Sequence, residues 1–237
     1  MEFKTILAST LEQNNIAYSA TQLSQAARFT EKMVKINESM NLTAITEPAA
    51  MAEKHWLDSL GLGRVQFNKG ENVLDVGSGA GFPGVPLAVF FPEAGFTLLD
   101  SLQKRLNFIA DATEYAAIPT PTLLHARAEE AGRNKLYREK FDTVISRAVA
   151  NLTALCEYCL PFLKVGGRMI AYKGPGAGEE LSAVEGAIAK LGGQVEKIDT
   201  FTLPGGEERN LIFIRKISPT APCYPRNSKA IKNKPLK

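Results

Sequence analysis

The stretch Leu74–Gly84, LDVGSGAGFPG, constrains this chain more than any other. An apolar lead reaches Asp75, and glycines follow at 77, 79 and 81 before Phe82-Pro83-Gly84. This pattern reads as a buried strand running into a tight turn, where the backbone approaches a ligand without a Cβ in the way. The dinucleotide fingerprint G-x-G-x-x-G needs a third glycine where Phe82 stands, so the fit fails at one position. No Gly-Lys-Ser/Thr follows, which excludes a phosphate-gripping P-loop. The plainer alternative is a strand–helix turn with no ligand.

From Asn72 onward short apolar runs alternate with amphipathic stretches. Strands are expected at NVLDV, GFTLLD, PTLLHA, FDTVISR and GRMIAYKG, with helices over 84–91, 102–117, 127–136, 151–163 and 178–191. Strands and helices alternating at this interval predict a parallel sheet covered on both faces. The end differs: GQVEKIDTFTLP and RNLIFIRKI are joined by GGEE with no helix between them, so they should pair as an antiparallel hairpin. The α/β fold expected is therefore a mostly parallel seven-stranded sheet ending in a hairpin. Residues 1–66 read as a helical cap, with Thr46 as N-cap and Pro48 in the first turn of one helix. Residues 67–217 form the sheet domain, and 218–237 a basic tail that should be mobile when unbound.

Charge separates that tail from the rest. Its basic residues are Arg226, Lys229, Lys232, Lys234 and Lys237, with no acid among them, leaving 23 Lys and Arg against 25 Asp and Glu elsewhere. A solubilising tail is the bland reading; an anionic partner, nucleic acid above all, is the sharper one. Three cysteines make no disulfide framework and suit a reducing cytoplasm. The N-terminus MEFKTILASTLEQ does not read as a secretory signal, and the longest apolar run, Val85–Phe91, falls far short of a membrane span. Without an obvious exposed apolar stripe, a monomer is expected.

Ligands of an open parallel sheet sit beyond the carboxyl ends of the strands, near the switch point in strand order. Asp100 ends the second strand, where a carboxylate can accept hydrogen bonds from both hydroxyls of an adenosine ribose. Ser101 can cap the next helix, which leaves Asp100 available. Glu129 follows the third strand and can read an adenine edge through its side chain or neighbouring backbone. These positions describe a pocket for an adenosine without a pyrophosphate, which fits S-adenosylmethionine better than a dinucleotide.

The segments LDVGSGAGFPGVPLA, TLLDSLQKRLNFI, ARAEE, VISRA and YKG, in this order, resemble the glucose-inhibited division protein B family, also called ribosomal small-subunit methyltransferase G. MNLTAI and EKHWLDSL in the leader and YPR near the C-terminus extend the resemblance over nearly the whole chain. It implies a class I (Rossmann-like) methyltransferase that uses S-adenosylmethionine to methylate N7 of a guanine in 16S rRNA. Carried over by position, Gly77 and Phe82 line the methionine and sulfonium side, with Gly79 and Gly81 in the same loop. Ala128 and Glu129 flank the adenine, and Arg147 lies at the boundary between cofactor and substrate. After Tyr224-Pro225-Arg226 the tail departs from the family's Gly-Thr-Pro sequence while keeping its charge.

Guanine N7 offers an in-plane lone pair, and its attack on a methyl carried by a cationic sulfur removes no proton. The expected reaction therefore needs positioning and no general base, and no metal. Arg147 is the candidate positioning residue, through the cofactor carboxylate, a phosphate or guanine O6; a surface salt bridge is its alternative. His55, Lys173, Arg226, Lys229, Lys232 and Lys234 are candidate RNA contacts. Cys156 and Cys159 form C-x-x-C on a helix without a second pair and read as packing residues. Trp56 reads as buried, and His125 as structural. The expected partner is 16S rRNA, in the small ribosomal subunit or its assembly intermediate. Other readings are a methyltransferase of this fold acting on a small molecule or protein, a dehydrogenase, and a catalytically idle assembly factor.

Overall fold

The computed structural model describes residues 2–236, so Lys237, the last basic residue of the tail, lies outside the described residues, as does Met1. Two long helices lead, α1 (Phe3–Gln13) and α2 (Ala20–Met40), the second opened by a capping box between Ser19 and Gln22. Helix α3 (Pro48–Met51) runs directly into a π-helical turn, Ala52–Leu57. Its N-cap is Glu47, not the expected Thr46: the carboxylate accepts from Ala49 N and Ala50 N, two of the free donors of the first turn.

The strands are β1 (Asn72–Val76), β2 (Gly95–Asp100), β3 (Thr122–His125), β4 (Phe141–Arg147), β5 (Leu163–Lys173), β6 (Gly193–Thr202) and β7 (Glu208–Lys216). They form one sheet in the order β3-β2-β1-β4-β5-β7-β6. Pairs among β1 to β5 are parallel, whereas β7 runs antiparallel to both β5 and β6. The chain builds outward from β1 to β3 and then restarts on the other side of β1 with β4, which puts the switch point between β1 and β4.

Between and after the strands come α4 (Gly84–Phe90), α5 (Gln103–Tyr115), α6 (Ala128–Ala131), α7 (Leu152–Cys159), α8 (Ala177–Ser182), α9 (Glu185–Lys190) and α10 (Ser228–Asn233). The helix expected over 127–136 is only α6, and the one expected over 178–191 is split into α8 and α9. Alternation along each strand divides the core between the two faces. Val73, Ile145, Ile170 and Phe213 join the cluster of α1, α2, α4 and α5. Their neighbours Leu74, Val144, Met169 and Ile212 join that of α6 to α10. The leading helices thus share one core with the sheet, with Trp56 fully buried and donating to Thr30 Oγ1 at 2.9 Å.

The tail expected to be mobile is instead docked along the body. Lys216, fully buried at the end of β7, donates to the Leu160 and Leu191 carbonyls and to Thr220. Arg138 donates to the carbonyls of Thr220 and Tyr224, and Arg133 to those of Cys223 and Pro225. Helix α10, N-capped by Asn227, buries Ile231. Distant arginines holding backbone carbonyls thus add to the packing of Tyr224, Ile231 and Leu236 against the core.

Candidate active site

A cleft of about 720 Å³ lies beyond the carboxyl ends of β1, β2 and β4, at the switch point. Its floor is the glycine loop. Gly77 N and Ser78 N donate to Leu99 O at 2.8 and 3.0 Å, which ties the loop to the end of β2. Gly79, at φ 58°, is the position that needs glycine for the cleft: an added Cβ would meet nothing nearer than 4.0 Å and would project into open space. Gly77 and Gly81 flank it, Gly77 under the side chain of Val149 and Gly81 against Val85 and Phe29.

Gly84 is required for a different reason. It opens α4, and a Cβ there would lie 2.6 Å from Asp75 Oδ2. In its place the Gly84 amide donates to that oxygen at 2.9 Å. Asp75 is fully buried beneath the loop, its Oδ1 has no hydrogen-bond partner, and burial pushes its carboxyl up to about 7.

Asp100 lines the cleft, but its carboxylate already serves the loop: Oδ2 accepts from Gly79 N and Oδ1 from Leu102 N, both at 2.9 Å. Ser101 makes no cap, and α5 starts from Leu102 without a side-chain cap. The helix entry is held by Asp100 itself, so the expected division of labour between Asp100 and Ser101 is corrected. A carboxylate has about four acceptor sites, and capacity remains for a ligand hydroxyl. Ala128 and Glu129, at the start of α6, form the next part of the wall, followed by Tyr158 from α7. Ser228 and Lys232 of α10 line the same cleft, so the docked tail completes it.

At the opposite end Phe82 stacks on His55, with ring centroids 4.5 Å apart and planes at 15°. His55 Nε2 lies 3.0 Å from Thr43 Oγ1, and burial with the nearby Arg147 charge pushes the ring down to about 4. His55 is therefore neutral at physiological pH. Arg147 ends β4, and its Nη1 donates to Lys54 O and Asp58 Oδ2, both at 3.0 Å. Its guanidinium carbon sits 5.7 Å from the Phe82 ring centre.

The other expected residues are placed apart from the cleft. Lys173 pairs with Glu180 at 2.9 Å and donates to Ala150 O. Arg226 is bound to Glu157, which is buried. Lys229 and Lys234 are exposed on the tail. Cys156 and Cys159 are buried among apolar neighbours, and burial pushes the Cys156 thiol up to about 12. Among the described residues no cluster of His, Cys, Asp and Glu could hold a metal ion.

Residues 22–212 match the family model "GidB: rRNA small subunit methyltransferase G". The chain belongs to this methyltransferase family. It is 43% identical to the ribosomal RNA small subunit methyltransferase G of Lactobacillus delbrueckii subsp. bulgaricus, over 98% of each chain. It is 42% identical, over 100% of each, to the protein of the same name from Alkaliphilus metalliredigens. A crystal structure of a 16S rRNA (adenine-N1)-methyltransferase variant from Catenulisporales acidiphilia is similar in fold, with TM-score 0.54 and 14% identity over 73% of this chain and 92% of that one. The fold is that of class I methyltransferases.

Several residues that line the cleft or bond to its wall lie outside the expected set. Asp58 follows His55 by three positions, and that helical spacing in EKHWLDSL is the signal that could have found it. Asp75 stands within LDVG, where an acid inside a buried strand asks for a partner. Val149, Ser228 and Tyr158 carry no sequence signal, because chain segments far from the glycine loop bring them to it.

Proposed function

We infer that this enzyme transfers a methyl group from S-adenosylmethionine to N7 of a guanine in 16S rRNA. The observation that carries the reading is the open space at Gly79, which faces a cleft with acceptors at one end and a guanidinium at the other. An elongated adenosine cofactor fits this arrangement. Asp100 would accept from the ribose hydroxyls, Ala128 and Glu129 would flank the adenine, and Gly77, Gly79, Gly81 and Phe82 would line the methionine side. The cofactor supplies a methyl group on a cationic sulfur, so the N7 lone pair attacks without loss of a proton.

The protein's task is then orientation, which can lower a barrier by roughly 7–11 kcal/mol in favourable cases. Neutral His55 stacked on Phe82 suits a reaction whose product ring is cationic, because it adds no like charge. Arg147, at the boundary of cofactor and substrate, would position the base through donors directed away from N7. Lys229, Lys232 and Lys234 would hold RNA phosphates. Lys173 and Arg226, each bound to a carboxylate, would reach RNA only by giving up that pair. The substrate would be 16S rRNA in the small subunit or an assembly intermediate, met by a monomer in the cytoplasm. No helix among the described residues is long and apolar enough to cross a membrane.

Calorimetric titration with S-adenosylmethionine and, separately, with NAD tests the cofactor assignment. Binding of the first alone is expected, and Gly79→Val should abolish it while circular dichroism stays unchanged. Binding of the dinucleotide alone would contradict the reading.

A further inference from the structure

A second cavity of about 520 Å³ opens beside the cofactor cleft and shares His55, Arg147 and Ala148 with it. It lies beyond the ends of β4 and β5, with Tyr172 and Gly174 on one side and Glu207 and Arg209 of the β6–β7 hairpin on the other. Between the two spaces stands Ala148, a non-glycine residue at φ 57°. Left-handed backbone at such a residue is uncommon, and such conformations cluster at binding sites.

Arg147 reaches both spaces with donors to spare. A guanidinium has five N–H groups in a fixed fork. The two on Nη1 go to Lys54 O and Asp58, whereas Nε and Nη2 have no hydrogen-bond partner among the described residues. Its side chain is only 16% exposed, so these donors face the cavities and little bulk water.

Along the cavity wall the charges alternate. Asp58 sits between Arg147 at 3.0 Å and Arg209 at 3.3 Å, and Glu207 sits between Arg209 and Lys54. The wall thus presents free donors at the cofactor end and a carboxylate, 41% exposed, farther off. Guanine has the complementary order: O6 accepts beside N7, while N1–H and the N2 amine donate from the adjoining edge.

We propose that this second cavity holds the target guanine, turned out of its RNA, with Arg147 donating to O6 and Glu207 accepting from N1–H and the N2 amine. The proposal rests on the guanine-N7 reading above and adds how the base is chosen. Arg147, already fixed by Asp58, is a specificity-determining residue. Adenine would set its amino group against Arg147 donors and its bare N1 against the Glu207 carboxylate. Polar groups left unpaired against the base are disfavoured. Extrusion of the base is the general solution for enzymes that act on one atom of a paired or stacked nucleotide.

The test uses the full-length enzyme and 16S rRNA rebuilt by ligation around the mapped target, carrying guanine or 2-aminopurine there. 2-Aminopurine keeps N7 but lacks O6 and N1–H. The expected wild-type result is a fall in kcat/KM of roughly 100-fold on 2-aminopurine. Arg147→Ala should lose activity on guanine and reduce that preference to a few-fold, with Arg147→Lys restoring part of it. An Arg147→Ala enzyme that keeps the full preference would overturn the assignment.

Gly174→Phe provides a second arm. A Cβ at Gly174 meets nothing within 4 Å, so the side chain enters open space without displacing packed atoms. Methyl transfer should be lost while cofactor affinity, read by calorimetry, is retained. Wild-type rates in Gly174→Phe would overturn the cavity as the base site. Failure of the wild-type enzyme to methylate any RNA, with cofactor bound, would instead overturn the guanine-N7 reading on which the proposal rests.

Discussion

Arg226 and Glu157, 69 positions apart, form a two-pronged ion pair with Nε–Oε1 at 2.9 Å and Nη2–Oε2 at 2.7 Å. Glu157 is 1% exposed on its side chain, so the pair fastens the tail to α7 from inside the fold. A residue whose type and position suggest an RNA contact is occupied structurally. Arg226→Ala should leave the buried Glu157 carboxylate with only the backbone N–H of residue 226 as donor and no counter-charge, which costs about 3 kcal/mol. Urea denaturation should show that loss. The salt dependence of RNA binding should not change, because no phosphate contact is removed.

The tail also lines the cleft through Ser228 and Lys232. Removing residues 227–237 should weaken S-adenosylmethionine binding by about 10-fold, the equivalent of one net hydrogen bond. Calorimetry on the truncated enzyme measures this directly. Unchanged affinity would show that α10 covers the cleft without touching its ligand.

Gly84 and Asp75 illustrate a constraint of another kind. With a Cβ 2.6 Å from Asp75 Oδ2 and 3.1 Å from Leu98 Cγ, Gly84→Ala has to push α4 away from the sheet. Overpacking of this sort costs about 1–3 kcal/mol, and a lowered urea midpoint should report it.

The Asp75 carboxyl titrates near 3.8 in an unfolded chain and is pushed up to about 7 in the fold. Between those values the folded protein holds a proton that the unfolded chain has released. Its contribution is complete below the lower value and is lost as pH rises through the upper one. Asp75→Asn should therefore gain relative to wild type when the urea midpoints are compared at about pH 5 and then at about pH 8. His55 acts with the opposite sign: lowered from 6.5 to about 4, it takes stability away as pH falls. It is common to both proteins, so the comparison at each pH isolates Asp75.

The sheet was legible because its information is local. Val73 and Leu74, or Ile170 and Met169, alternate between faces, and a period of two shows in five residues. The hairpin of β6 and β7 was legible from the missing helix between two apolar runs. That Asp100 and the glycine loop meet at one cleft was legible because their spacing is fixed by one strand–turn–helix unit. The tail was not: Arg133 and Arg138 hold it through its backbone carbonyls and Lys216 through the Thr220 hydroxyl, which no side-chain pattern announces. Nor was the Asp58 bridge between Arg147 and Arg209, whose three members come from the leader, β4 and β7. Long-range polar contacts join residues that share no periodicity.

The most direct measurement is transfer of a labelled methyl group from S-adenosylmethionine to naked 16S rRNA, intact small subunits and large-subunit RNA, followed by chemical cleavage at 7-methylguanine. Label at one guanine of small-subunit RNA, with strand cleavage at that position, is the predicted result. Label that resists cleavage, or that enters large-subunit RNA equally, would contradict the account.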